Sequence, residues 1–349
     1  MSPALSRRSV VGAALALAAG ERASAAPVAL EYPPPLKSAP FPVGTCVQAF
    51  QLDDPALSSL IAAQVSQLTA EREMKMEYIV QEDGSLRFEA PDRIAAFARK
   101  HGMRLFGHTL VWYAQEPPAF KNMDADRAAF AAAYRNYIVS VVGRYRGQTV
   151  GWDVVNEAVA ADGSGWRENL WSQRLGPLEY MVAAFQHAHE ADPDAVLFIN
   201  DFNLEHRPAK RVAFMKLVEA LLKAGAPVGG VGTQTHVTAE LPAGRITAAI
   251  KELASLGLPV HVSEMDVSLK RAKRLRGRAD REAGQARVYT EAAQAFSSLP
   301  AQQRFAFTHW GLRDPDSWLN YPRGGDRPLL FDSRGRPKPA AAAWIEGLS

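Results

Sequence analysis

The chain has 349 residues, which allows two small domains or one large barrel. Its apolar fraction of 47% fits a sizeable core, and a net charge of only +3 gives no reason to expect a nucleic-acid partner. The single cysteine, Cys46, excludes an intrachain disulfide and, inside the apolar run FPVGTCVQ, reads as an ordinary buried core residue.

The N-terminus has the order of an export peptide. Arg7 and Arg8 precede an apolar stretch over 11–19, and Ala23-Ser24-Ala25 follows as a small-residue cleavage site. This predicts a signal peptide over 1–25, and the paired arginines point to the twin-arginine route. The apolar stretch is too short to span a bilayer. The mature chain is therefore expected to be exported, periplasmic or extracellular, with no membrane attachment after the signal is removed. A proline-rich lead-in over 26–40 comes next.

From Phe41 onward, short β-like runs alternate with amphipathic helical patterns. The predicted strands are 43–48, 66–69, 103–108, 149–155, 195–200, 229–235, 259–263 and 304–309. Several are nearly continuous apolar runs, such as AVLFIN, which suits parallel strands covered on both faces. Helical patterns fall at 125–144, 178–191, 209–224 and 243–257, with Pro208 at one helix start and Gly225 just past its end. Eight such units without a linker predict one α/β domain over 41–349, a (β/α)8 TIM barrel. A doubly wound open sheet is the alternative, but no glycine-rich phosphate loop follows any strand.

Active sites in this barrel lie at the C-terminal ends of the strands. The polar residues at those ends are Glu71, His108, Asn156 with Glu157, Asn200 with Asp201, Gln234 with His236, Glu264 with Asp266, and His309 with Trp310. A ring of carboxylates, amides, imidazoles and tryptophans suits a sugar-cleaving cleft. Breaking an acetal requires a proton on the leaving oxygen and a negative group beside the oxocarbenium-like centre. Glu157 and Glu264, ending the fourth and seventh predicted strands, fit those two roles. A lone glutamate at a strand end is ordinarily a solvated residue or an ion-pair partner; the Asn-Glu pair and the second glutamate at a later strand shift the balance. Asn156 can donate to a sugar hydroxyl, and His236 and Asp266 can hold Glu264 ionised. Tryptophans supply flat faces for sugar rings.

The runs TAEREMK, FGHTLVW with QEPPAF, VGWDVVNEA, FINDFNLE, GVGTQTHV, VHVSEMD, THWGLRDPDSWL and PLLFDSRGRPKPAAAAW, in this order, resemble glycoside hydrolase family 10, the endo-β-1,4-xylanases. The resemblance covers roughly 41–346. It implies a retaining double displacement on xylan and xylo-oligosaccharides, with Glu157 as acid/base and Glu264 as nucleophile. It further implies that Asn156, His108, Gln234 and His236 line the sugar that becomes attached, that Glu71, Lys75 and Trp112 meet the next sugar, and that Trp310 and Trp318 roof the cleft. Asp314 and Ser317 then read as structural residues between the two tryptophans. No cofactor or metal is implied; His101, His187, His189 and His206 read as surface histidines without ligand spacing. A monomer is expected.

The chain departs from the family pattern at Arg72, where Asn is usual, at Met76, where Trp is usual, and at Tyr113, where His is common. The first two put the sugar preference of the second non-reducing-side subsite in question. A basic run, Lys270, Arg271, Lys273, Arg274, Arg276, Arg278 and Arg281, follows the seventh predicted strand. It reads as a solvated loop or, more sharply, as an attractor of glucuronic acid branches. Two rival readings are a related barrel acting on β-glucan or mannan, with an altered second subsite, and a non-catalytic carbohydrate-binding barrel.

Overall fold

The alternating pattern resolves, in the computed structural model, into nine strands among the described residues, 33–349. The expected export peptide and the start of the lead-in lie outside these residues. The strands are β1 (Val43–Val47), β2 (Gln67–Ala70), β3 (Arg104–Trp112), β4 (Thr149–Asn156), β5 (Val196–Asp201), β6 (Gly230–Thr233), β7 (His236–Thr238), β8 (Val260–Ser268) and β9 (Arg304–His309). All their pairings are parallel. The order β6-β5-β4-β3-β2-β1-β9-β8 closes through a β6–β8 pairing, so eight strands form a (β/α)8 barrel. Closure leaves no open edge among these eight.

Where the strands differ from expectation, polar residues are the reason. β3 and β8 run on through His108, Glu264 and Asp266, side chains that read as strand stops. Because the barrel satisfies their backbone groups by pairing, polarity does not end the ladder. The strand expected over 229–235 is interrupted by Gln234 and Thr235, and β7 pairs with the upper half of β8, His236 opposite Asp266. Thr235 adopts φ 58°, a left-handed conformation uncommon for a β-branched residue. Buried Glu205 accepts from the hydroxyls of Thr233 and Thr235 and pins this turn.

The helices follow the predicted pattern closely: Arg127–Arg144, Glu179–Ala191, Pro208–Lys223 and Arg245–Ala254. Asp126 caps the first of these by accepting from the Ala129 amide at 2.8 Å. Pro208 opens the third, where its missing N–H costs nothing, and Gly225 with φ 79° lies just beyond its end.

The core has two layers. Inside the barrel, Phe106, Phe198, His261 and Phe305 pack with ring centroids 4.5–5.8 Å apart. Outside it, residues such as Ile94, Ile138, Phe185, Leu217 and Ile250 bury one face of each helix against the strands. His309, expected at the cleft, belongs to this outer layer. It packs against Tyr289, Phe307 and Trp344, and burial drives its ionisation down to about 3. The strand-end position was right, but the side chain points to the helices. Cys46 is buried, as expected. No helix among the described residues is long and apolar enough to cross a membrane.

Candidate active site

Strict alternation along a strand sends every second side chain into the barrel. Three strands break it near their C-terminal ends. The β8 register passes from Val262 opposite Phe307 to Met265 opposite His309, three residues facing two. Consecutive side chains thereby both serve the interior: the Ser263 hydroxyl donates to Asn200 Oδ1 at 2.8 Å, and Glu264 Oε1 accepts from Asn200 Nδ2 at 2.9 Å. A shift in β4 between Asp153 and Val155 likewise lets Asp153 and Asn156 both face inward. β3 is irregular between His108 and Val111. Bulges of this kind re-aim side chains at functional sites.

The mouth of the barrel holds a cavity of about 640 Å³. All eleven residues expected to act there line it: Glu71, Lys75, His108, Trp112, Asn156, Glu157, Gln234, His236, Glu264, Trp310 and Trp318. Its size suits a few sugar-sized units.

Glu264 is held by two donors. Asn200 meets one oxygen, and His236 Nε2 lies 3.3 Å from the other. His236 Nδ1 is 2.9 Å from Asp266, which also accepts from Trp318 Nε1 at 2.8 Å. Burial opposes charge on His236, but Asp266 and Glu264 outweigh it and push its ionisation up to about 10. Burial likewise works to raise Glu264; His108, the His236 bond and Lys75 outweigh it and hold the carboxyl down at about 2. His236 thus bridges Asp266 and Glu264, the arrangement expected to orient the Glu264 carboxylate.

Glu157 is built differently. It follows β4 in a left-handed conformation, φ 61°, with its amide bonded to the Asn200 carbonyl at 2.8 Å. Arg167 donates to the Glu157 and Val159 carbonyls at 3.0 Å and lies over the Tyr113 ring. A strained backbone held from several sides is typical of functional residues. The Glu157 carboxylate accepts from Gln234 Nε2 at 2.9 Å and more distantly from Asn156 Nδ2 at 3.4 Å. One carboxylate thus meets a histidine and an amide, while the other is contacted by amides alone.

The remaining expected residues complete the walls. Lys75 Nζ lies 4.8 Å above the Trp112 ring. Glu71 is buried beside Cys46 and Arg72, and burial raises its ionisation. His108 Nδ1 is 2.8 Å from Asp153, and its ring meets Trp310 edge-on. His108, Asp153 and Glu264 present ligand-type atoms within 4.8 Å of one another, a grouping no sequence spacing announced. Asp314 and Ser317 hold the tryptophan loop as expected: Asp314 accepts from Lys338 Nζ and the Leu329 amide, and Ser317 accepts from the Leu319 amide.

Of the departures from the family pattern, Arg72 lines the cavity, 3.9 Å from Glu71. Met76 does not; it is buried in the core, and Tyr78 reaches the cavity instead. Asp201 also stays out of the cavity: it accepts from the Val159 amide and pairs with buried Lys210 at 2.5 Å, so it orders the loop after β4. Asn203, with φ 60°, lines the cavity beside Phe202. Sequence reasoning assigned no role to Asn200, Asp153, Ser263 or Arg167. Asn200 carried a signal, its place at a strand end; Arg167 lies in a loop and carried none.

A closed parallel barrel with Glu157, Glu264, Trp310 and Trp318 lining the cavity at its mouth defines the class: a (β/α)8 barrel with a carboxylate- and tryptophan-lined cleft. The sequence model of glycosyl hydrolase family 10 matches residues 36–346. An endo-1,4-beta-xylanase of Geobacillus stearothermophilus is 37% identical over 316 residues, covering 86% of this chain and 93% of the relative. The structure of xylanase XynB from Paenibacillus barcinonensis, complexed with a conduramine derivative, superposes with a TM-score of 0.83 at 34% identity, covering 91% of this chain and 99% of that one. A mutant intracellular xylanase from Thermoanaerobacterium saccharolyticum, in complex with xylotetraose, gives a TM-score of 0.80 at 34% identity, covering 90% and 98%. Some curated relatives are much longer: the chain spans 28% of Exoglucanase XynX from Acetivibrio thermocellus, to which it is 35% identical. The chain belongs to glycosyl hydrolase family 10.

Proposed function

We propose that this protein is an endo-1,4-β-xylanase that hydrolyses internal β-1,4-xylosidic bonds with retention of configuration. The observation that carries the reading is the asymmetry of the two glutamates, Glu264 clamped as an anion by Asn200 and His236, Glu157 contacted by the amides of Gln234 and Asn156. The names of the relatives supply the substrate.

The reaction runs in two steps. Glu264 attacks the anomeric carbon while protonated Glu157 gives its proton to the leaving sugar oxygen. Glu157, now ionised, takes a proton from water, which releases the glycosyl group from Glu264. Retention requires the two carboxyl groups about 5–5.5 Å apart around the bound sugar.

Glu264→Ala should abolish turnover of xylan. Glu157→Ala should lose about 10²–10⁴-fold on xylan yet retain turnover of aryl xylosides whose leaving group needs no proton. Full activity of both variants on xylan would end the assignment. The relative named an exoglucanase keeps a β-glucan reading open, and a reducing-sugar assay over xylan, β-glucan and mannan separates them. Silence on all three would favour a carbohydrate-binding barrel. We also propose export of the enzyme through its paired arginines; replacing Arg7 and Arg8 by lysine should retain it in the cell on fractionation.

A further inference from the structure

The basic run after β8 carries seven cations, and the structure separates them. Lys270 Nζ donates to the Gly324 carbonyl at 2.7 Å, Arg278 pairs with Glu282 at 2.9 Å, and Arg281 donates to the Leu275 carbonyl at 3.3 Å. Lys273, Arg274 and Arg276 are exposed and do not line the cleft. Arg271 alone of the seven lines it, with its guanidinium carbon 5.6 Å from the centre of the Trp318 ring.

Its surroundings are fixed. The Arg271 amide donates to the Ser268 hydroxyl at 3.0 Å; that hydroxyl in turn donates to Asp326, which also accepts from the amides of Leu269 and Lys270. Trp318 is held by its bond to Asp266 at 2.8 Å. Among the described residues Arg271 has no ion pair. The nearby carboxylates are engaged, Asp266 by His236 and Trp318, Glu264 by Asn200 and His236. Arg72, the other arginine of the cleft, already lies beside Glu71. A guanidinium laid over an indole keeps its in-plane N–H groups for a planar acceptor, and a carboxylate matches that fork. Unbranched xylan offers only hydroxyls, which do not require a full charge.

We propose that Arg271, with the Trp318 ring beneath it, forms a subsite for a carboxylate-bearing sugar branch, a uronic acid, on the polysaccharide chain lying in the cleft. It rests on the xylanase reading and deepens it. The long-range attraction of the whole run is a separate, weaker effect that salt screens within about 10 Å.

The test compares kcat/KM on a xylo-oligosaccharide bearing one uronic acid branch with that on the unbranched oligosaccharide of equal length. In Arg271→Ala the ratio of acidic to neutral kcat/KM should fall on the order of fivefold, mainly through KM, as an exposed charge pair allows. The Lys273→Ala/Arg276→Ala double variant should keep the wild-type ratio. Raising salt from low to high should lower the ratio more in the wild type than in Arg271→Ala. An unchanged ratio in Arg271→Ala, or an equal fall in the double variant, overturns the proposal while leaving neutral hydrolysis and the xylanase reading intact. Failure to cut either oligosaccharide removes the xylanase reading and this proposal with it.

Discussion

Against the effect of burial, the charge of His108, the bond from His236 and the charge of Lys75 hold the Glu264 carboxyl well below its ordinary range. Asn200 and His236 occupy its two oxygens, and each is held in turn, Asn200 by Ser263 and His236 by Asp266. The pH signs follow. His236, with its ionisation pushed up to about 10 against an ordinary value of about 6.5, stabilises the fold fully below about 6.5 and loses that contribution as pH rises through 10. Glu264, held at about 2 against an ordinary value of about 4.3, contributes above about 4.3 and loses it as pH falls through 2. The stability deficit of His236→Asn, read as a urea midpoint against wild type, should therefore be largest between about pH 4.5 and 6.5 and shrink by pH 10.5; a constant deficit would show that the histidine charge plays no part. Gly232 sets the Asn200 orientation from the next strand. A Cβ there would lie 2.4 Å from Asn200 Oδ1, so Gly232→Ala should displace the amide from Glu264. We expect a loss in kcat of about 10-fold or more with little change in KM, measured on an aryl xyloside.

At the scale of elements, the site is made by irregular strand ends on a regular barrel. The bulge in β8 brings Ser263 and Glu264 to the same side, and the break between β6 and β7 turns Gln234 and His236 into the cleft. The loop after β4 depends on a buried ion pair. Asp201 receives the Val159 amide and pairs with Lys210, whose side chain is fully buried and also faces the Phe202 ring at 3.4 Å. Removing one member of such a pair strands the other. Asp201→Ala should cost about 3–5 kcal/mol in urea unfolding, and adding Lys210→Met should recover most of it. A single variant within about 1 kcal/mol of wild type would mean that the loop is held by other contacts.

At the scale of the molecule, the chain closes on itself. The segment leading into β1 places Phe41 against Phe296 and Trp344, and Trp344, in the terminal helix Pro339–Glu346, packs on Phe307 and His309 of β9. First and last strands are neighbours in the barrel, so this contact seals the seam between them. Trp344→Ala should cost about 3–5 kcal/mol, seen as a lowered unfolding midpoint with kcat on xylan unchanged at low temperature, because Trp344 is buried in the core and does not line the cavity.

The sequence by itself determined the eight β/α repeats, the helix limits at Pro208 and Gly225, and the polar side chains at the strand ends that meet in the cleft. These were legible because each rests on a local pattern, an apolar run, a cap or a polar residue at a strand end, whereas Lys75, Trp112 and Trp318 were implied only by the resemblance to the family. Only the tertiary structure decided where β3 and β8 stop, that Ser263 and Glu264 share a side, that His309 faces the helices, and that Arg271 alone of seven cations lines the cleft. Past a bulge, the direction of a side chain depends on how many residues the neighbouring strand sets against it. That register comes from strands up to hundreds of residues away in the chain, as when Val43 of β1 pairs with Phe307 of β9, and no local pattern encodes it.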